Sequence, residues 1–167
     1  LTVASPMNEH ELRKLMYSAQ LPEKGPYVIR YPRGRGSCTE WKCPFEEIPT
    51  GKGRLLKEGT EAAILTLGPI GTLVEDLVNE LESEGKSVAH YDMRFLKPID
   101  EEILDFVGRN YKLVVTVEDG VKQGGLGSAV MEYMAEHNLH PTLRRVGLPE
   151  SFVEHGAPEK LYQLVGM

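Results

Sequence analysis

The chain has 167 residues, 41% of them hydrophobic and 26% charged, with a formal net charge of −6. That length accommodates one medium domain plus a piece of another, the composition is that of an ordinary globular protein, and the acidic balance argues against general nucleic-acid binding, which needs a basic face. No apolar run approaches the roughly 18 residues of a membrane span, Leu1–Ala4 has neither the basic nor the long apolar region of a secretory signal, and Cys38 and Cys43 make no disulfide framework, so a reducing cytoplasm is the expected setting.

Leu1 to Ala4 is short and apolar, like the end of a buried strand. Ser5-Pro6 reads as an N-cap followed by proline at the first helical position. Leu12, Leu15, Met16 and Ala19 recur at helical spacing, which predicts an amphipathic helix over residues 6–20. Pro22 and Gly25-Pro26 end it, and Tyr27 to Tyr31 reads as a strand. Two strands and one helix cannot make a stable parallel sheet. Residues 1–35 are therefore expected to be the edge of a larger domain. Gly36, Pro44 and Pro49 punctuate a stretch of little periodicity, and residues 36–50 read as a linker.

Beyond residue 51 strands and helices alternate. Strands are expected over 53–57, 62–67, 87–92, 113–118 and 142–146. Helices are expected over 72–84, from Asp100 to about 109, from Gly127 to about 138, and over 158–165. This alternation predicts a three-layer α/β domain over 51–167, with helices on both faces of a mostly parallel, doubly wound sheet.

Few residues suggest chemistry. Arg30-Tyr31-Pro32-Arg33-Gly34-Arg35 follows a strand end, where ligands of parallel sheets collect, and an arginine so placed can hold a phosphate. The alternative is a basic surface loop. Gly124 to Gly127 resembles a phosphate-cradling turn, but close packing of a helix start is the better reading. Glu118 and Asp119 could be an acid–base pair or cation ligands, with capping of the following loop preferred. His10, His90, His137, His140 and His155 form no metal pair at helical spacing, and no Ser-His-Asp set can be assigned.

Several ordered stretches carry a resemblance. They are Ser5-Pro6-Met7-Asn8-Glu9, then Gly25-Pro26 leading to Arg30-Tyr31-Pro32-Arg33-Gly34, Ile48-Pro49-Thr50-Gly51-Lys52-Gly53, and Asp92-Met93-Arg94-Phe95-Leu96-Lys97-Pro98-Ile99-Asp100. Val117-Glu118-Asp119-Gly120 with Gly124-Gly125-Leu126-Gly127-Ser128 follows, and Gly147-Leu148-Pro149 with Glu154-His155-Gly156 comes last. Together these cover essentially the whole chain, which resembles the C-terminal third of the 1-deoxy-D-xylulose-5-phosphate synthase family. Transketolase and the β subunits of 2-oxo-acid dehydrogenases are similar in the last domain, but the Arg-Tyr-Pro-Arg-Gly run is more like the synthase.

The resemblance implies a thiamine-diphosphate-dependent transferase of isoprenoid-precursor, thiamine and pyridoxal biosynthesis. It condenses pyruvate with D-glyceraldehyde 3-phosphate and releases CO2. Residues 1–35 would end the second, pyrimidine-binding domain, and residues 51–167 would be the transketolase-type C-terminal domain. Thiamine diphosphate and Mg2+ would sit on upstream domains of a homodimer, so the resemblance implies no catalytic, cofactor or metal residue here and an inactive fragment. Arg33 alone is similar in position to a family arginine that contacts the phosphate of the aldehyde. The roles of Glu118, Asp119 and His155 stay open. A non-catalytic subunit-contact module, or a related dehydrogenase β-type subunit, is the competing reading.

Overall fold

The computed structural model describes every residue except Arg35 and Ser37, and of Pro158 and Glu159 the backbone alone. A parallel sheet must be covered on both faces, because its strands are apolar on both sides. Strand β4 (Ala62–Leu67) shows why: all six of its residues are buried. It lies at the centre of a five-stranded sheet in the order β3 (Arg54–Lys57), β5 (Val88–Asp92), β4, β7 (Leu113–Val121), β8 (Thr142–Leu148). Only the β3–β5 pairing is antiparallel.

Successive side chains of β4 point to opposite faces and so feed two separate cores. Ala63, Leu65 and Leu67 pack with Leu104 and Val107 of helix α3 (Glu101–Asn110) and with Leu126, Val130 and Met134 of helix α4 (Leu126–Glu136). Ile64 packs on the other face with Ile70, Val74 and Val78 of helix α2 (Ile70–Ser83), where Tyr162 of helix α5 (Pro158–Val165) also lands. The result is the expected three-layer αβα arrangement around a mostly parallel sheet. Asp100 caps α3 as its sequence suggests, accepting from the backbone N–H of Glu102 and Ile103.

The first 35 residues differ from expectation in detail. Helix α1 spans Glu9–Ser18 and is capped by Asn8, whose Oδ1 accepts from Glu11 N at 3.0 Å. Ser5-Pro6 lies before the helix instead of starting it, because the Ser5 hydroxyl is taken by the Arg30 carbonyl at 3.0 Å. Strand β1 (Thr2–Ala4) runs parallel to β2 (Tyr27–Ile29), and its other edge is covered by an antiparallel strand that sequence reading missed, β6 (Phe95–Lys97). A three-residue strand between two turns leaves too short an alternation to register. Phe95 is fully buried with Ala4, Leu15 and Ile48 in a third core, so residues from before, within and after the 36–50 stretch share one apolar cluster.

Candidate functional site

Three strand ends converge. The Arg30 N–H closes the parallel ladder onto Ala4 O at 2.8 Å, which sets the side chain just past β2. Its guanidinium reaches the end of β7 and donates twice to Asp119, from Nη1 to Oδ1 and from Nη2 to the backbone O, both at 2.7 Å. Asp119 is well shielded, whereas the arginine is about half exposed. Gly68, at the end of β4, takes φ +84°, and a Cβ there would lie 2.5 Å from Ser5 Oγ and 3.6 Å from Asp119 Oδ1. Glycine is thus what lets the three ends meet. Tyr162 covers the group from α5, and burial first, then the Asp119 charge, raises its phenol above the ordinary value.

Arg33 sits in the bend after β2, exposed, and its side chain has no hydrogen-bond partner among the described residues. Arg35, the last residue of the basic run, lies outside the described residues. The two described arginines of the run therefore differ in kind: Arg30 is engaged in structure, and Arg33 is presented to solvent. Nothing in the sequence could have paired Arg30 with Asp119, 89 residues away.

The glycine turn before α4 is already filled. Glu118 accepts from Leu126 N through Oε2 and from Gly127 N through Oε1, each at 2.9 Å. A side-chain carboxylate so occupies the seat that a phosphate would take at a helix N-terminus. Gly125 is required by that contact, since a Cβ there would fall 2.1 Å from Glu118 Oε2. His155 is exposed in the loop before α5.

Sequence reading did not single out the ionic cluster that joins α1 to the main sheet. Glu11 is 3% exposed and receives Arg94 through two hydrogen bonds, and Arg54 Nη1 at 3.0 Å. Arg54 continues to Asp92, with Nε at 3.2 Å and Nη2 at 3.1 Å from Oδ2. Burial pushes the Asp92 carboxyl up to about 6 in spite of Arg54. Beside it, His90 falls to about 4, through burial and then the Arg54 charge. Thr66 Oγ1 lies 2.9 Å from His90 Nε2 and 3.2 Å from Tyr91 O, and the buried His90 Nδ1 meets no partner among the described residues. A charged residue on the buried face of α1, four before Leu15, was the available sign.

Among the described residues no three His, Cys, Asp or Glu side chains are grouped so as to hold a metal ion. Nor is any helix among them long and apolar enough to cross a membrane.

Residues 51–167 match the family described as transketolase, C-terminal domain. The chain belongs to that family. A transketolase C-terminal domain accounts for the five-stranded sheet and its two helical layers. Over its whole length the chain is 61% identical to a 1-deoxy-D-xylulose-5-phosphate synthase of Bacteroides thetaiotaomicron and 60% identical to one of Phocaeicola vulgatus. It spans only about a quarter of those relatives, 26% and 27% of their lengths. Among solved structures it is similar to one described as a split gene transketolase, inactive beta4 tetramer, with TM-score 0.84 and 33% identity over 99% of this chain and 53% of that one.

Proposed function

We propose that the chain is a part of a 1-deoxy-D-xylulose-5-phosphate synthase, in which Arg33 binds the phosphate of D-glyceraldehyde 3-phosphate. The observation that carries the reading is the contrast within one turn. Arg30 is fixed by Asp119 and holds the strand end, while Arg33 is exposed and has no hydrogen-bond partner among the described residues. A guanidinium on a fixed backbone is suited to two parallel hydrogen bonds with a phosphate. The identity to the Bacteroides thetaiotaomicron and Phocaeicola vulgatus synthases over the whole chain supports the same assignment.

In this reading residues 1–35 close the pyrimidine-binding domain, residues 36–50 link, and residues 51–167 form the C-terminal domain of a cytoplasmic homodimer. Thiamine diphosphate and Mg2+ bind residues outside this chain, and the cofactor supplies the carbanion chemistry that decarboxylates pyruvate. This chain's part is to bind and orient the phosphorylated aldehyde, and alone it is inactive. The split-gene relative, described as an inactive tetramer of its β chain, supports that last point.

Replacing Arg33 by Ala in the full-length protein tests the phosphate role. Loss of a charge-assisted pair costs about 1.5–3 kcal/mol, so KM for the phosphorylated aldehyde should rise roughly ten- to a hundredfold while KM for pyruvate holds. An equal rise in both would remove the role.

A second reading, a subunit-contact module without catalytic part, draws on exposed apolar residues: Leu73 and Leu77 on α2, Phe152 and Leu164 near the end of the chain. A substrate-independent effect of Arg33→Ala, together with loss of dimer on charging Leu73 and Leu77, would favour it.

A further inference from the structure

Helix α1 and the facing residues Gly36, Cys38, Thr39, Trp41 and Phe45 border a half-open pocket of about 630 Å3 that lies in none of the groups above. Its walls are Leu12, Met16 and Tyr17 from the helix, and Trp41 and Phe45 from the facing segment. That volume falls within the range of small-molecule sites, which pair apolar walls with a few placed polar groups. The walls are held in place from outside. Arg13 Nε donates to Cys43 O at 2.8 Å, the His10 ring meets Glu40 O at 2.7 Å, and Tyr17 stacks at a tilt on Phe45 with centroids 5.3 Å apart.

The polar groups at the rim are unequal. Glu9 points its carboxylate at the Cys38 N–H, 3.2 Å away. Arg13 spends only Nε, and its two Nη groups meet no acceptor among the described residues. Its guanidinium carbon lies 3.9 Å from the Phe45 ring centroid and 5.5 Å from that of Trp41, and Lys42 Nζ stands 5.6 Å from the same indole. Arg13 is the cation that lines the pocket, beside both rings and across from the Glu9 carboxylate that faces Cys38, so the site offers one guanidinium beside flat apolar surface.

We propose that this cavity binds a small planar aromatic anion, its ring system between Met16, Tyr17, Trp41 and Phe45 and its acidic group on Arg13. Trp41 is the one tryptophan in the sequence, and Cys38 lines the cavity, so both report on occupancy.

The test uses 8-anilinonaphthalene-1-sulfonate and its uncharged analogue N-phenyl-1-naphthylamine. The sulfonate should bind one to one, take up Trp41 emission by energy transfer, and at ten times its Kd slow maleimide labelling of Cys38, resolved from Cys43 by peptide mapping, about tenfold. Arg13→Gln, which removes the charge but can still donate to Cys43 O, should weaken the sulfonate about tenfold and the neutral dye by less than about twofold, and Arg13→Leu serves as the variant that also loosens the wall. Met16→Glu, at a position 53% exposed and hence tolerant, should abolish binding of both while circular dichroism shows an unaltered fold. Dye binding without transfer from Trp41, unprotected Cys38, or equal response of the two dyes to Arg13→Gln would each overturn the proposal. The dye must also bind a longer protein that contains the chain. Failure there would mean that polypeptide fills the cavity, and would overturn it too.

Discussion

Arg94 grips Glu11 through two hydrogen bonds, Nε to Oε2 at 2.7 Å and Nη2 to Oε1 at 3.0 Å, across 83 residues of sequence. The arginine does this from a left-handed backbone conformation, φ +56°, which costs a non-glycine residue about 1–2 kcal/mol. The pair thus holds a strained turn while it ties α1 to the strand ends of the larger sheet. Removing one partner of a buried pair leaves the other charged and dry, and costs about 3–5 kcal/mol. Glu11→Ala should lower the unfolding free energy by about 3 kcal/mol, the low end of that range, because Arg54 keeps Asp92. Urea denaturation measures it. A loss under about 1 kcal/mol would mean that water already reaches the cluster.

Asp92 and His90 give opposite pH dependences. For Asp92 the folded carboxyl titrates near 6 against 3.8 unfolded, so the folded state holds more protons between those values and stability falls as pH rises from about 4 to 6. For His90 the folded ring titrates near 4 against 6.5, so the unfolded state holds more protons and stability rises over about pH 4 to 6.5. Each is worth about 3 kcal/mol, both groups being fully buried, and in the native protein they nearly cancel. Asp92→Asn should therefore become more stable relative to the native protein, by about 3 kcal/mol, on going from pH 4 to 6.5. Parallel stability curves for the two proteins would remove Asp92 from the balance.

Much of the larger domain was legible because its signals are local. Continuous apolar runs such as Leu113 to Val117, the Asp100 cap and the 3.6-residue spacing of α2 each specify an element without help from distant chain. What was not legible depends on long-range partners. Ser5 reads as a helix cap on its own, yet the Arg30 carbonyl claims its hydroxyl, and the cap passes to Asn8. Phe95 to Lys97 is a strand only because β1 lies beside it. Glu11 looks like an ordinary first-turn acid until Arg54 and Arg94 arrive from other elements. At the candidate site, the basic run Arg30 to Arg35 stood out from its place after a strand and Arg33 within it from the family resemblance alone, while the Arg30–Asp119 contact had no local sign.

The Glu118 carboxylate should be the main support of the α4 start. Glu118→Gln keeps one acceptor but loses the charge that faces the helix N-terminus, and should cost about 1–2 kcal/mol. Gly125→Ala, whose new Cβ would overlap the carboxylate, should cost about 1–3 kcal/mol. Thermal melts of the two single variants and the double variant separate the effects. Since Glu118→Gln retains the bulk that Gly125→Ala strikes, the two losses should both persist in the double variant. Recovery by Glu118→Ala in the Gly125→Ala background would show the clash to be with that side chain alone.

The Arg30–Asp119 contact should be weak in energy and strong in position. The guanidinium is 48% exposed, so solvent screens it, and coupling in a double-mutant cycle of Arg30→Met and Asp119→Asn should be about 0.5–1 kcal/mol, falling with added salt. Its larger effect should be on the turn that carries Arg33. Backbone amide exchange at residue 30, whose N–H is bonded to Ala4 O at 2.8 Å, should speed up in Arg30→Met, since local opening of a loop depends on the few bonds that anchor it. Unchanged exchange with an intact coupling energy would mean that Pro32 fixes the turn without help, and Asp119 would then serve only to join β2 to β7.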